Sequence, residues 1–85
     1  MIGLDERRRR VRYRSWHRGT REMDLLLGGF ADRHLATMSA DDLEAFERLI
    51  ALPDPDLYAI YRRLEAPPEA VEGPLLNLFL NFKIA

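Results

Sequence analysis

The sequence predicts an all-α fold, a small five-helix bundle forming a single domain over residues 1–85. Three observations carry this reading. Apolar residues recur at i, i+3, i+4 and i+7, in Met23, Leu26, Leu27 and Phe30 and again in Leu57, Ile60, Tyr61 and Leu64. Helix-start and helix-stop residues cut the chain into five short segments. No run alternates well enough for a strand. With 85 residues, 47% of them hydrophobic and 32% charged, the chain has apolar material for one core and no length for a second.

The first segment, a basic helix over residues 4–16, takes Leu4, Val11, Tyr13 and Trp16 as anchors among arginines. The second starts near Gly19 or Thr20 and buries Met23, Leu26, Leu27 and Phe30. Gly28 and Gly29 weaken it by up to about 1 kcal/mol each relative to alanine, which predicts a kink or break before Phe30 to Leu35. In the third, Ser39 is the N-cap with Asp42 three residues on, and Met38 staples onto Leu43. Leu43, Phe46, Leu49 and Ile50 form its inner face. The fourth opens with Asp54 as N-cap and Pro55 at the first helical position, and Pro67 and Pro68 end it. Gly73 and Pro74 start the fifth, an apolar C-terminal segment over residues 74–84 with hydrophobic side chains on more than one face. It predicts burial against several helices or self-association.

The net charge of −1 hides a charge dipole: residues 1–21 carry eight arginines against Asp5 and Glu6, and residues 22–85 carry five basic against twelve acidic groups. The acidic remainder would repel a duplex laid along the molecule, so no nucleic-acid partner is expected. The absence of cysteine excludes disulfides, thiolate catalysis and cysteine metal sites. It agrees with a reducing space, the cytoplasm, or the mitochondrial matrix for a eukaryotic source. The first twenty residues hold too little apolar material for a signal peptide, and Pro74 to Ile84 is about half the length of a transmembrane span.

The polar residues form no catalytic or metal-binding pattern. His17 and His34 lack metal-ligand spacing and read as partly exposed surface residues. Asp54-Pro55-Asp56 is a helix start, because the glycine a calcium loop needs at its sixth position is Ala59. No nucleophile stands beside a base, so the chain reads as a non-enzyme with no metal.

One stretch, Arg14 to Asp24, is harder to explain as scaffold. Gly19 as an N-cap and Glu22 as the N3 carboxylate account for two residues. Arg14, Arg18 and Arg21 then set positive charge against the positive end of the helix dipole, and Arg18 and Glu22 stand in the less favourable order for an i,i+4 ion pair. Trp16 has no assigned pocket.

Arg18-Gly19-x-x-Glu22 followed by Asp24-Leu25-Leu26-Leu27 resembles the RGxxE motif of the SdhE-type FAD assembly factors of succinate dehydrogenase. Ser39-x-x-Asp42 with Phe46-Glu47-x-Leu49-Ile50, and then Asp54-Pro55-Asp56-Leu57-Tyr58, are similar to that family's third and fourth helices in the same order. The family's last helix is more polar than Leu75 to Ile84. The resemblance implies a five-helix factor that binds the flavoprotein subunit of succinate dehydrogenase, and in some members fumarate reductase, and promotes covalent attachment of FAD to it. FAD is then the client's cofactor and none is held stably by the factor. The implied partner-binding residues are Arg18, Gly19 and Glu22, with Arg14 and Asp24 beside them. Arg18 and Glu22 are expected to be mostly exposed, so that replacing either by alanine changes stability by no more than about 1 kcal/mol. Two other readings stand beside it: a nucleic-acid regulator using Arg7 to Arg14, and a protein-binding antitoxin or membrane-associated adaptor using the apolar C-terminal segment.

Overall fold

Five α-helices in chain order, α1 (Leu4–Trp16), α2 (Arg21–His34), α3 (Ala40–Ile50), α4 (Asp54–Tyr61) and α5 (Pro74–Asn81), make up the computed structural model, which describes residues 3–84. Single 3-10 turns, Leu35–Thr37 and Glu69–Val71, lead into α3 and α5. Residues 1, 2 and 85, included in the single-domain reading, lie outside the described residues. Among the described residues there is no strand, and no helix is long and apolar enough to cross a membrane.

The core forms where the apolar stripes of α2, α3 and α5 meet. Phe30 is its hub, edge-on to Phe46 at 5.3 Å, Phe79 at 5.6 Å and Phe82 at 5.6 Å between ring centroids. Each such pair stabilises by about 0.5–1.5 kcal/mol beyond its buried area. Leu26, Leu27, Leu43, Leu49, Ile50 and Leu57 close around these rings and are fully buried. Helix α3 begins as its sequence requires: the Ser39 hydroxyl accepts from the Asp42 N–H at 3.1 Å, and Met38 and Leu43 are both buried.

The structure corrects several of the expectations. In α1 the buried residues are Val11 and Ser15, with Trp16 half-buried, whereas Leu4 is 39% and Tyr13 65% exposed. Tyr13 is two residues from Val11, about 200° around the helix, so the two cannot share a face. Ser15 is tolerated at 0% exposure because its hydroxyl donates to the Val11 carbonyl at 2.7 Å.

Helix α2 runs through Gly28 and Gly29 without a break. The Trp16 indole lies across Gly28, where an added Cβ would collide with the ring, and a Cβ on Gly29 would sit 3.2 Å from the Phe82 ring. These contacts offset the weak helix propensity of the pair.

Helix α4 starts one residue earlier than its cap signal indicated. Pro53 is at the N-cap, Asp54 is the first helical residue, and no side chain caps the end. The helix also ends before the prolines: Arg63 takes φ 59°, the Arg63 N–H donates to the Ile60 carbonyl and the Leu64 N–H to the Ala59 carbonyl. That is a Schellman closure with arginine where glycine is usual, and it leaves Leu64 76% exposed, off the inner face.

The apolar C-terminal segment is folded onto its own bundle. Leu75, Leu76 and Phe79 are buried, Leu80 and Phe82 half-buried, and the Tyr61 hydroxyl donates to the Phe82 carbonyl. Leu78 and Ile84 stay on the surface.

Candidate functional site

Four residues, His17 to Thr20, turn the chain from α1 into α2. Thr20 is the N-cap, its hydroxyl accepting from the Met23 N–H at 3.3 Å. Gly19 is therefore not the cap expected from sequence. It adopts φ 110°, a backbone conformation that disfavours every residue with a Cβ, and nothing stands within 4 Å of where its Cβ would be. Glycine is required there by conformation, and the space above it is open. The Asp24 carboxylate reaches back to accept the Arg18 N–H at 2.6 Å, which ties the first turn of α2 to the loop.

Arg18 departs furthest from expectation. Its side chain is only 10% exposed and does not pair with Glu22. The guanidinium turns inward to the α3–α4 junction, where Nε donates to Asp54 Oδ1 at 2.9 Å, Nη1 to the Ile50 carbonyl at 2.9 Å and Nη2 to the Leu52 carbonyl at 3.2 Å. Nη2 also lies 2.7 Å from Asp54 Oδ1. The Ile50 carbonyl is an orphan at the C-terminal end of α3, the Leu52 carbonyl lies in the linker after it, and Asp54 is a carboxylate at the N-terminus of α4, so both helix dipoles favour the arrangement. Arg18 acts as a staple between the α1–α2 loop and the α3–α4 junction. Asp54 is the partner that sequence reasoning missed, because its carboxylate is taken by an arginine thirty-six residues away rather than by its own helix.

Gly19 and Glu22 stay on the surface, with Thr20 and Arg21 between them. On one side, His17, Gly19, Thr20, Arg21 and Leu25 line a shallow depression. On the other, Thr20, Glu22, Pro55 and Tyr58 line a second, with the Arg62 guanidinium over the Tyr58 ring at 5.8 Å. Leu25, which is exposed, and Tyr58, which is half-buried against the core, are also residues that sequence reasoning passed over. Leu25 follows the motif with no polar role, and Tyr58 reaches the motif only through the packing of α4.

Arg14 is exposed and stands on the last turn of α1, where its charge complements the dipole of that helix rather than opposing α2. Nearby, the hydrogen bond from Arg7 holds the Glu47 carboxyl below its ordinary range against the opposing effect of burial, with the charges of Arg7 and Arg14 adding to it. The structure thus brings Arg18 and Asp24 together inside the loop and leaves Gly19, Glu22 and Arg14 facing solvent. Among the described residues no three histidine or carboxylate side chains gather as a metal site. The arrangement is a fixed, mixed-charge edge with bare backbone at Gly19, suited to contact with another macromolecule.

A family model described as flavinator of succinate dehydrogenase matches residues 9–83. The chain is 43% identical over 82 residues to the FAD assembly factor SdhE of Acetobacter pasteurianus, covering 95% of this chain and 75% of that protein. It is 39% identical over 72 residues to the mitochondrial succinate dehydrogenase assembly factor 2 of Caenorhabditis elegans, and 36% identical over 81 residues to that of Danio rerio. The chain spans 60% and 51% of those two longer proteins.

Proposed function

The chain belongs to the family described as flavinator of succinate dehydrogenase, and on that premise we propose that it is an assembly factor that binds the flavoprotein subunit of succinate dehydrogenase and promotes covalent attachment of FAD to it. It is not itself the catalyst. The attachment takes place within the flavoprotein, and the factor selects and holds the client conformation in which the accepting histidine and the flavin are aligned. Binding energy then replaces part of the orientational barrier. FAD is the client's cofactor in this reading, and the factor keeps none. Fumarate reductase, as a homologous flavoprotein client, falls within the same proposal, and the site of action is the cytoplasm, or the matrix for a mitochondrial form.

The observation that carries the reading is the division of labour in the motif. Arg18 and Asp24 anchor the loop, and Gly19 and Glu22 are left at the surface of a rigid turn. Glu22 supplies a carboxylate to the client, Gly19 admits close backbone approach, and Arg14 stands exposed on the last turn of α1 ahead of the loop.

The test is complementation in cells lacking the native factor, read as flavin fluorescence of the flavoprotein band on a denaturing gel. Glu22→Ala should fold as wild type and Gly19→Arg should fold with a loss of stability from its φ of 110°, and both should restore less covalent flavin than wild type. Glu65→Ala, an exposed change beyond the far end of α4, should restore it fully. Wild-type flavin attachment by folded Glu22→Ala and Gly19→Arg would refute the docking role of the motif.

A further inference from the structure

The basic end of the molecule has a specific geometry that the motif does not use. Arg10, Tyr13 and Arg14, at i, i+3 and i+4, share one exposed face of α1, and His17, the exposed C-cap residue just past the helix, continues it. Tyr13 is 65% exposed, and its ring stacks on His17 at 3.9 Å and 18° between planes. Neither Arg10 nor Arg14 has an acidic ion-pair partner among the described residues, in contrast to Arg7 on Glu47 and Arg12 on Asp32. Arg9, Arg10, Tyr13 and Arg14 line a groove together with the Arg7–Glu47 pair and Glu6, so that cations outnumber carboxylates in it, and His17 lines the depression that holds Gly19 and Arg21. The Tyr13–His17 stack therefore joins the groove to the motif as one continuous surface.

We infer that this face of α1 extends the docking surface, and that its occupant is a carboxylate-rich patch on the flavoprotein subunit. The inference rests on the assembly-factor reading and adds the chemistry of the partner. Planar guanidiniums recognise carboxylates through paired N–H donors, and a flat aromatic pair between them supplies contact area at small entropic cost. A long polyanion fits poorly, because the cations form one short stripe and residues 22–85 carry seven more acidic than basic groups. Exposed like charges ahead of the docking loop would also steer the encounter, raising the association rate more than the lifetime of the complex.

The experiment measures association and dissociation rates of the full-length factor with the purified flavoprotein subunit at several salt concentrations. Arg10→Glu and Arg14→Glu should each slow association by roughly tenfold or more at low salt, and flatten its salt dependence. Lys83→Glu, the same charge change at the other end of the chain, should leave the rate within about twofold of wild type. Circular dichroism of each variant should match wild type, because both arginines are exposed. If Arg10→Glu and Arg14→Glu associate as wild type while Glu22→Ala and Gly19→Arg do not, the α1 face is not part of the interface and the motif reading survives. If Glu22→Ala and Gly19→Arg also bind as wild type, the assembly-factor reading of the motif fails with it. Retardation of duplex DNA that depends on Arg10 and Arg14, with no change in flavoprotein binding, would overturn the inference in favour of a nucleic-acid surface.

Discussion

Replacing Arg18 by alanine should unfold the protein far more readily than its place in a surface motif implies. The side chain is 10% exposed, donates to two backbone carbonyls and is paired with Asp54, itself 26% exposed. Deletion leaves the Ile50 and Leu52 carbonyls and the Asp54 carboxylate without their donor. A hydrogen bond to a charged group contributes about 1.5–3 kcal/mol net, and breaking a buried ion pair costs about 3–5 kcal/mol. Water reaches the partly exposed Asp54 and recovers some of this, so the expected loss for Arg18→Ala is about 3 kcal/mol. For a domain of this size that lowers the Tm by roughly 12–24 °C. Lysine has no fork with which to bridge an aspartate and two carbonyls, so Arg18→Lys should recover less than half of the loss. Chemical unfolding followed by circular dichroism measures each value, and a double-mutant cycle with Asp54→Ala should give a coupling of about 1–2 kcal/mol. A loss below about 1 kcal/mol for Arg18→Ala, or additivity with Asp54→Ala, would refute the staple and return Arg18 to the surface role expected from sequence. The result also bears on flavin attachment: an Arg18 variant that fails in cells fails through the fold, and a Glu22 variant through contact.

Gly28→Ala should destabilise by about 1–3 kcal/mol through collision with Trp16, although alanine alone in a helix gains about 1 kcal/mol over glycine; thermal unfolding and tryptophan fluorescence report both effects. Arg63→Gly should stabilise by about 1 kcal/mol by relieving the left-handed closure of α4, measured by the same unfolding experiment. Acid should weaken the fold in two windows. His34 packs on Phe30, and burial foremost, with Arg33 beside it, lowers its pKa from the ordinary 6.5; its contribution is fully present above that value and is lost as pH falls below it. Glu47 is lowered from 4.5 chiefly by the Arg7 hydrogen bond, so its contribution is present above 4.5 and lost as pH falls through its folded value. Thermal unfolding across pH should show both declines, with the lower one flattened in Arg7→Gln and the upper one in His34→Gln.

The sequence by itself determined the helices and most of the core. Caps, prolines and 3.6-residue spacing act within one turn of the chain, so α3 and its inner face of Leu43, Phe46, Leu49 and Ile50 were legible residue by residue, as was the start of α5 at Gly73-Pro74. The motif was legible too, as a pattern that helix stability did not explain. Its internal roles were decided only by tertiary structure. Arg18 meets Asp54 across thirty-six residues, Trp16 meets Gly28 across twelve, and Phe82 meets Gly29 across more than fifty. Each contact reverses a local preference: an arginine that reads as exposed is drawn inward, a carboxylate that reads as a cap becomes an ion pair, and a glycine pair that reads as a break becomes a seat for two aromatic rings. The local preferences overridden here, a glycine in a helix or a surface charge near a cap, carry about 1 kcal/mol each, whereas a packed ring or a desolvated guanidinium carries several, so where the two compete the long-range contact sets the outcome.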